Sequence, residues 1–323
     1  MNALRALILG WEKAKRRKRA VALYWAFHTL IALVAAVPLA GIGITQAART
    51  RYGDELLRDF DLMFVLEAAY RVGPLDWAVF ILVPLLMLLH VGVVYLNGGA
   101  LHVLRRDNEA YSPALFWGGA GLYFWRFLRV SLYSVLAWVP LFVVNGAIRK
   151  GAGKIWGEGM VGGPVFVATQ VRIALLVLLA GYAVSVVDYA RARLAAENSR
   201  RAFKQLIAAM VFVARRPWLA MGPWAALAIL FGAVSALYLK VANFVPVTVM
   251  PAAILMIVLQ QAFILMRISL RFIGWGAVIE IDAAARGEGH EPEQEVFSHV
   301  HGGDGSLRAG AEADPEAESP AAG

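Results

Sequence analysis

Residues 77–104 read WAVFILVPLLMLLHVGVVYLNGGALHVL and contain no Lys, Arg, Asp or Glu. A helix needs about 20 apolar residues to cross roughly 30 Å of hydrocarbon, where each unpaired backbone amide costs several kcal/mol. This stretch meets that length. Residues 20–48, 130–148, 217–239 and 241–266 are uncharged runs of the same kind. A sixth segment, 159–187, is broken only by Arg172 and counts as a span. Each span carries a Trp or Tyr suited to the headgroup level, among them Trp25, Tyr95, Trp138, Tyr182, Trp218 and Trp275. The expected fold is all-α: a polytopic transmembrane helical bundle of six spans.

Composition agrees. Of 323 residues 60% are hydrophobic and 17% charged, against about 25% charged in a soluble domain. The net charge of +8 does not point to nucleic acid, because the Lys and Arg residues gather at the ends of apolar runs and not along one helical face. Sorted between the two sides with the N-terminus inside, 22 of the 31 basic residues fall inside and nine outside. The acids Asp54, Glu55, Asp59, Asp61, Glu67 and Asp76 crowd the first outer loop. The expectation is therefore a multi-pass protein of the cytoplasmic (inner) membrane with both termini in the cytoplasm. There is no cysteine, hence no disulfide, thiol nucleophile or Cys-bound metal.

Three regions follow: a basic interfacial segment over 1–19, the transmembrane domain over 20–283, and a tail over 284–323. The tail is rich in Gly, Ala, Pro and acids without apolar periodicity, so it is expected to be disordered. Ala3, Leu4, Leu7, Ile8 and Trp11 form a short apolar stripe beside the basic run bounded by Lys13 and Arg19. That reads as a helix lying on the anionic inner leaflet, which makes membrane lipids the expected partner. The first span is too long for a secretory h-region and reads as a retained anchor. Residues 54–72 alternate an apolar face with acids and read as a surface helix of the outer loop.

The two inner connections look alike. Span 2 is followed by Asn97-Gly98-Gly99, Arg105 and Arg106, then Ser112-Pro113 and a stripe of Phe116, Tyr123, Phe124 and Phe127. Span 4 is followed by Asp188, Arg191 and Arg193, then Asn198-Ser199 and a stripe of Phe203, Leu206, Ile207, Met210 and Val213. Ser112 with Pro113, and Asn198 or Ser199, are suitable N-caps. Span, basic turn, amphipathic helix and span thus occur twice in one sense, which suggests an internal parallel repeat.

Ionisable and amide groups at membrane depth are the candidate site residues, since they are costly there without partner or water. Gln260, Ile264, Arg267 and Arg271 share one helical face with Gln261 beside them, and this stripe is expected to point into the bundle. Asp188 lies at the depth of Arg267 and Arg271, and either arginine is a candidate partner for it. Arg271 reads as reaching the inner headgroups, and Arg267 as doing the same or pairing with Asp188. His90 and Asn97 are seven apart and face one way, while His28 reads as bonded to a backbone carbonyl or hydroxyl. Arg172 beside Gln170 either contacts an anion or reaches the outer surface. Small faces at Gly181 and Ser185, Gly232 and Ala236, and Gly92 are explained by close helix packing.

No catalytic motif is present. Gly151-Ala152-Gly153-Lys154 lacks the Ser or Thr and the first glycine of a phosphate loop and reads as a turn. His299 and His301 with Asp304 lie in the tail without fixed geometry. No cofactor and no metal site is expected.

Residues 97–99 and 124–129 (Phe124-Trp125-Arg126-Phe127-Leu128-Arg129), with Asp188-Tyr189-Ala190-Arg191-Ala192-Arg193-Leu194, resemble a loose group of bacterial six-span proteins. That group is similar to the membrane domain accompanying some glycerophosphodiester phosphodiesterases. The chain has none of the catalytic acids or histidines of the soluble phosphodiesterase domain, so that activity does not carry over. The resemblance implies a bacterial cytoplasmic membrane address and neither substrate nor functional residues. The functional expectation is a non-enzymatic membrane module packing against lipids, partner subunits or a second copy. A small permease with a polar path between spans 4 and 6 is the alternative, and a lipid-modifying enzyme the remotest.

Overall fold

The computed structural model describes residues 2–47, 75–156, 163–245 and 250–287. Among the described residues there are helices and no strand: α1 (Ala3–Arg16), α2 (Lys18–Ala47), α3 (Leu75–Arg105), α4 (Pro113–Tyr133), α5 (Val135–Trp156), α6 (Gly163–Ala196), α7 (Ala202–Arg215), α8 (Pro217–Phe244) and α9 (Met250–Ala285). Val83–Arg105, Pro113–Ile148, Phe166–Ala196, Pro217–Phe244 and Met250–Ala285 are long and apolar enough to cross a membrane. α2, 30 residues long and uncharged from Ala20 onward, is read as the sixth span. The surface helix expected over 54–72, the tail beyond 287 and His299, His301 and Asp304 lie outside the described residues.

The helix boundaries depart from the sequence reading in three places. α8 runs through Lys240 to Phe244, and Val245 is extended at φ −98° and ψ 101° because the ring of Pro246 excludes helical backbone in the residue before it. The expected span over 130–148 is divided at Ser134 between α4 and α5. Gly151 to Lys154 continue α5 as helix and form no turn.

Helix starts and stops follow local chemistry. Asn2 accepts from Arg5 N at 2.9 Å and Ser112 from Leu115 N at 3.1 Å, opening α1 and α4. α7 departs from expectation. Asn198 takes φ 46° and Ser199 N donates to Leu194 O at 3.2 Å, so these residues close α6 in the left-handed manner. The N-cap of α7 is Arg201, without a side-chain cap.

An amphipathic helix followed by two long ones occurs three times: α1 to α3, α4 to α6, and α7 to α9. The pattern of the sequence shows two of these units. In each, the amphipathic helix covers the last helix of the preceding unit: α4 packs on α3, α7 on α6, and α1 closes the ring on α9. Gly119, Ala209 and Gly10 hold corresponding buried positions on the covering helices. A Cβ on Gly119 would meet His102, and one on Gly10 the backbone of Ile273 and Ala277. Arg126, Arg216 and Arg17 correspond likewise, one residue beyond or near the end of each stripe.

The core sits at the end where these three helices lie, hereafter the basic end. Its largest buried side chains are Trp275, Tyr189, Phe116, Phe127 and Phe272. Farther from it the long helices turn Leu30, Phe142, Leu178, Ile229 and Ile257 outward. An apolar surface of that extent is one that hydrocarbon solvates and water does not.

Candidate functional site

α6 and α9 run toward the basic end side by side, so their polar residues meet in register. Asp188 Oδ1 accepts from Arg271 Nη2 at 2.8 Å and from Trp275 Nε1 at 3.3 Å. Nearer the helix ends, Asp282 accepts from Arg193 Nε at 2.7 Å and from Arg286 Nε at 3.1 Å. Lys13 Nζ then ties α1 to the same end, 2.6 Å from Glu280 and 3.6 Å from Asp107. Arg191 is buried behind Asp188, donates to Ser131 Oγ at 2.8 Å, and its Nε has no partner.

Of the two arginines open to it, Asp188 takes Arg271, which the sequence reading otherwise sends to the headgroups, and not Arg267. Parallel register is the cause: stepping back about one turn along each helix from the Asp188–Arg271 pair leads to Ser185 on α6 and Arg267 on α9, and both line one cavity.

That cavity, open on one side, has a volume of about 590 Å³ between α2, α3, α6, α8 and α9. Its polar wall is Ser185, Asp188, Arg267 and Arg271, with Tyr24 and His28 at one side. Trp224, Leu227 and Phe231 of α8 and Ile264 of α9 form the apolar wall. Glycine admits two of these side chains: a Cβ at Gly181 would stand 2.4 Å from the Trp224 ring, and one at Gly274 3.2 Å from Leu227. Ser185 is 3% exposed and its Oγ has no hydrogen-bond partner. Arg267 is exposed and makes no ion pair or hydrogen bond among the described residues.

The other sequence candidates are placed apart. Gln260 is exposed, and it is Gln261 that faces inward, accepting from Trp25 Nε1 and Thr29 Oγ1 at 3.1 Å each. Asn97 is buried and accepts from the Tyr24 hydroxyl at 2.9 Å, whereas His90 is exposed. His28 Nδ1 lies 2.8 Å from Tyr24 O, as expected of it. Arg172 Nε donates to Asn145 Oδ1 at 2.8 Å, a contact across α5 and α6. Gly92 and Gly181 pack closely, while a Cβ on Gly232 would meet nothing within 4 Å, so that small face is open. In the sequence Ser185 reads only as a packing residue; its spacing of i, i+3 with Asp188 is the available signal.

Chemically the cavity offers two guanidinium groups against one carboxylate at one side and hydrocarbon at the other. Among the described residues no three His, Asp or Glu side chains come together as a metal site. Comparison of the chain with known protein families, curated proteins and solved structures finds no match.

Proposed function

We propose that the chain is a non-enzymatic multi-pass module of the bacterial cytoplasmic membrane, holding lipids and packing against partner subunits, with its basic end in the cytoplasm. The observation that carries this reading is the cap of three amphipathic helices. Their inner faces pack on the bundle, while Leu4, Ile8 and Trp11 of α1, Trp117, Leu122 and Trp125 of α4, and Phe203, Ile207 and Val211 of α7 remain exposed. Apolar side chains at the rim of a basic surface are what an anionic leaflet binds. The distribution of 22 basic residues on this side against nine on the other supports the orientation. The resemblance to membrane domains of glycerophosphodiester phosphodiesterases agrees with it.

The lack of native cysteine makes single-cysteine reporters clean. Lys15 on α1 and Lys240 on α8 are both exposed, so Lys15→Cys and Lys240→Cys serve as the two reporters. A membrane-impermeant maleimide is expected to label position 240 in intact spheroplasts and position 15 only after permeabilisation. The reverse pattern overturns the orientation, and release of the chain by carbonate wash overturns the membrane reading.

The cavity supports a second reading, a small permease using Asp188 and Arg267. It requires solute flux into proteoliposomes above that of empty ones. Its absence over a panel of small anions leaves the module reading standing.

A further inference from the structure

We infer that the cavity between α6, α8 and α9 is a binding site for one anionic amphiphile. Arg267 and Ser185 hold its carboxylate or phosphate head, and its hydrocarbon chain lies against Trp224, Leu227 and Phe231. The inference rests on the chain being membrane-embedded and names the lipid chemistry that such a module would hold.

Three observations converge. The first is an unmatched charge. Arg271 is neutralised by Asp188 at 2.8 Å, but Arg267, one turn away on the same wall, pairs with no carboxylate among the described residues. Arg191 behind Asp188 adds a further buried positive charge. A cationic ligand is repelled here by the surplus of positive charge, while Arg267, exposed where it lines the cavity, is accessible to an anion. The second is Ser185, which lines the same cavity and whose buried hydroxyl has no hydrogen-bond partner. Buried polar atoms without partners are rare and call for one. A head bound between the two would receive a charge-assisted hydrogen bond from the guanidinium and a second bond from the hydroxyl.

The third observation is the opposite wall. Trp224, Leu227, Phe231 and Ile264 contribute no side-chain acceptor or donor other than the indole N–H. A small hydrophilic anion would leave this wall facing water. A chain attached to the anion covers it, and about 590 Å³ lies within the range of sites for ligands of moderate size. Head and chain chemistry are thus separated along one cavity, as they are in an amphiphile.

The test uses the full chain in nanodiscs of phosphatidylcholine, with tryptophan fluorescence as the readout and brominated lipids as quenchers. The probes are dibrominated stearate, dibrominated phosphatidylglycerol, dibrominated phosphatidylcholine and inorganic phosphate. Saturable quenching by the stearate or the phosphatidylglycerol, with none beyond the bulk level from the phosphatidylcholine, is expected. Competition between the two anionic probes tells the sources apart: the tighter one identifies a free acid or a lipid headgroup. Trp224→Phe should remove most of the saturable signal. Arg267→Ala should weaken apparent affinity about tenfold to a hundredfold, the effect of a hydrogen bond to a charged group. Arg267→Lys should retain part of it, and Ser185→Ala should weaken it severalfold. Equal quenching by anionic and zwitterionic probes in the unmodified chain overturns the proposal, whether or not the variants fold. So does an Arg267→Ala variant that binds as the wild type does, which would mean this side chain reaches the headgroups instead. Inorganic phosphate displacing the brominated stearate at equal concentration would show that the chain contributes nothing, and would overturn it as well. Failure of the membrane reading is visible separately, as a chain that does not enter nanodiscs.

Discussion

Gly10 of α1 and Gly276 of α9 touch backbone to backbone. A Cβ on Gly276 would stand 2.7 Å from the Gly10 Cα, and one on Gly10 would stand 2.4 Å from Ile273 O and 2.7 Å from Ala277 N. Neither obstacle is a flexible side chain, so a larger residue must push the helices apart. Gly276→Val is expected to cost about 1–3 kcal/mol, as overpacking does, and to lower the thermal midpoint in detergent. Gly118→Ala is the control, since its Cβ meets nothing within 4 Å; its effect should stay within about 0.5 kcal/mol. A wild-type midpoint for Gly276→Val would count against the docking of α1 on α9.

Asp188 and Arg271 should not respond alike to truncation. The Asp188 side chain is 9% exposed and that of Arg271 38%. Asp188→Ala strands the guanidinium of Arg271 and the indole N–H of Trp275, and removes a carboxylate near buried Arg191. Because Arg271 is 38% exposed, its guanidinium is partly screened, and the cost is expected at about 1–3 kcal/mol, that of leaving buried polar groups unmatched. Arg271→Ala leaves Asp188 with its bond from Trp275 and its proximity to Arg191, so the loss should be smaller. In a double-mutant cycle the combined variant should be less destabilised than the sum of the two. The opposite order of severity would sink this account of the pair.

How much of this end is legible in the sequence depends on whether an interaction is local. Counting residues from the ends of spans places Asp188 at the depth of two arginines. Choosing between the arginines needs the register of α6 against α9, which no spacing within either helix contains. The Gln260 stripe fails for a related reason. The face that packs at the basic end is uncovered farther along α9, and there α2 packs beside it and engages Gln261 through Trp25 and Thr29. The third unit is hidden because its covering helix, α1, stands at the start of the chain and its partner, α9, near the end. Gly10, Gly119 and Ala209, with Arg17, Arg126 and Arg216, are nevertheless visible as a recurring small residue and arginine one heptad apart.

Lys13 joins α1 to α9 through Glu280 and to the connection after α3 through Asp107, with side chains only 11%, 12% and 20% exposed. Reversing the charge with Lys13→Glu places three carboxylates together and should lower the thermal midpoint by several degrees. Adding Glu280→Lys restores one opposite-charge contact. It leaves the carboxylate now at position 13 facing Asp107, so recovery should be partial. Full additivity of the two reversals, measured by the same melts, would show that Lys13 and Glu280 do not interact.

Arg17 and Arg126 occupy corresponding places in successive units, yet their surroundings differ enough to separate them by experiment. Arg17 is 3% exposed, and its Nη2 donates both to Arg106 O and, at 2.8 Å, to Glu109 O, holding the turn that follows α3. Arg126 donates to Asn198 Oδ1, the residue that closes α6 in the left-handed conformation, at an exposed position. Lysine keeps the charge but not the rigid planar guanidinium that fixes the direction of the two Nη2 bonds to the Arg106 and Glu109 carbonyls. Arg17→Lys should therefore lose about 1–2 kcal/mol, in the range of one or two hydrogen bonds, and expose residues 106–112 to protease. Arg126→Lys should change stability by less than about 0.5 kcal/mol. Equal effects at the two sites would mean that the unit, and not the burial of its arginine, sets the strength of the tie between each amphipathic helix and the turn it secures.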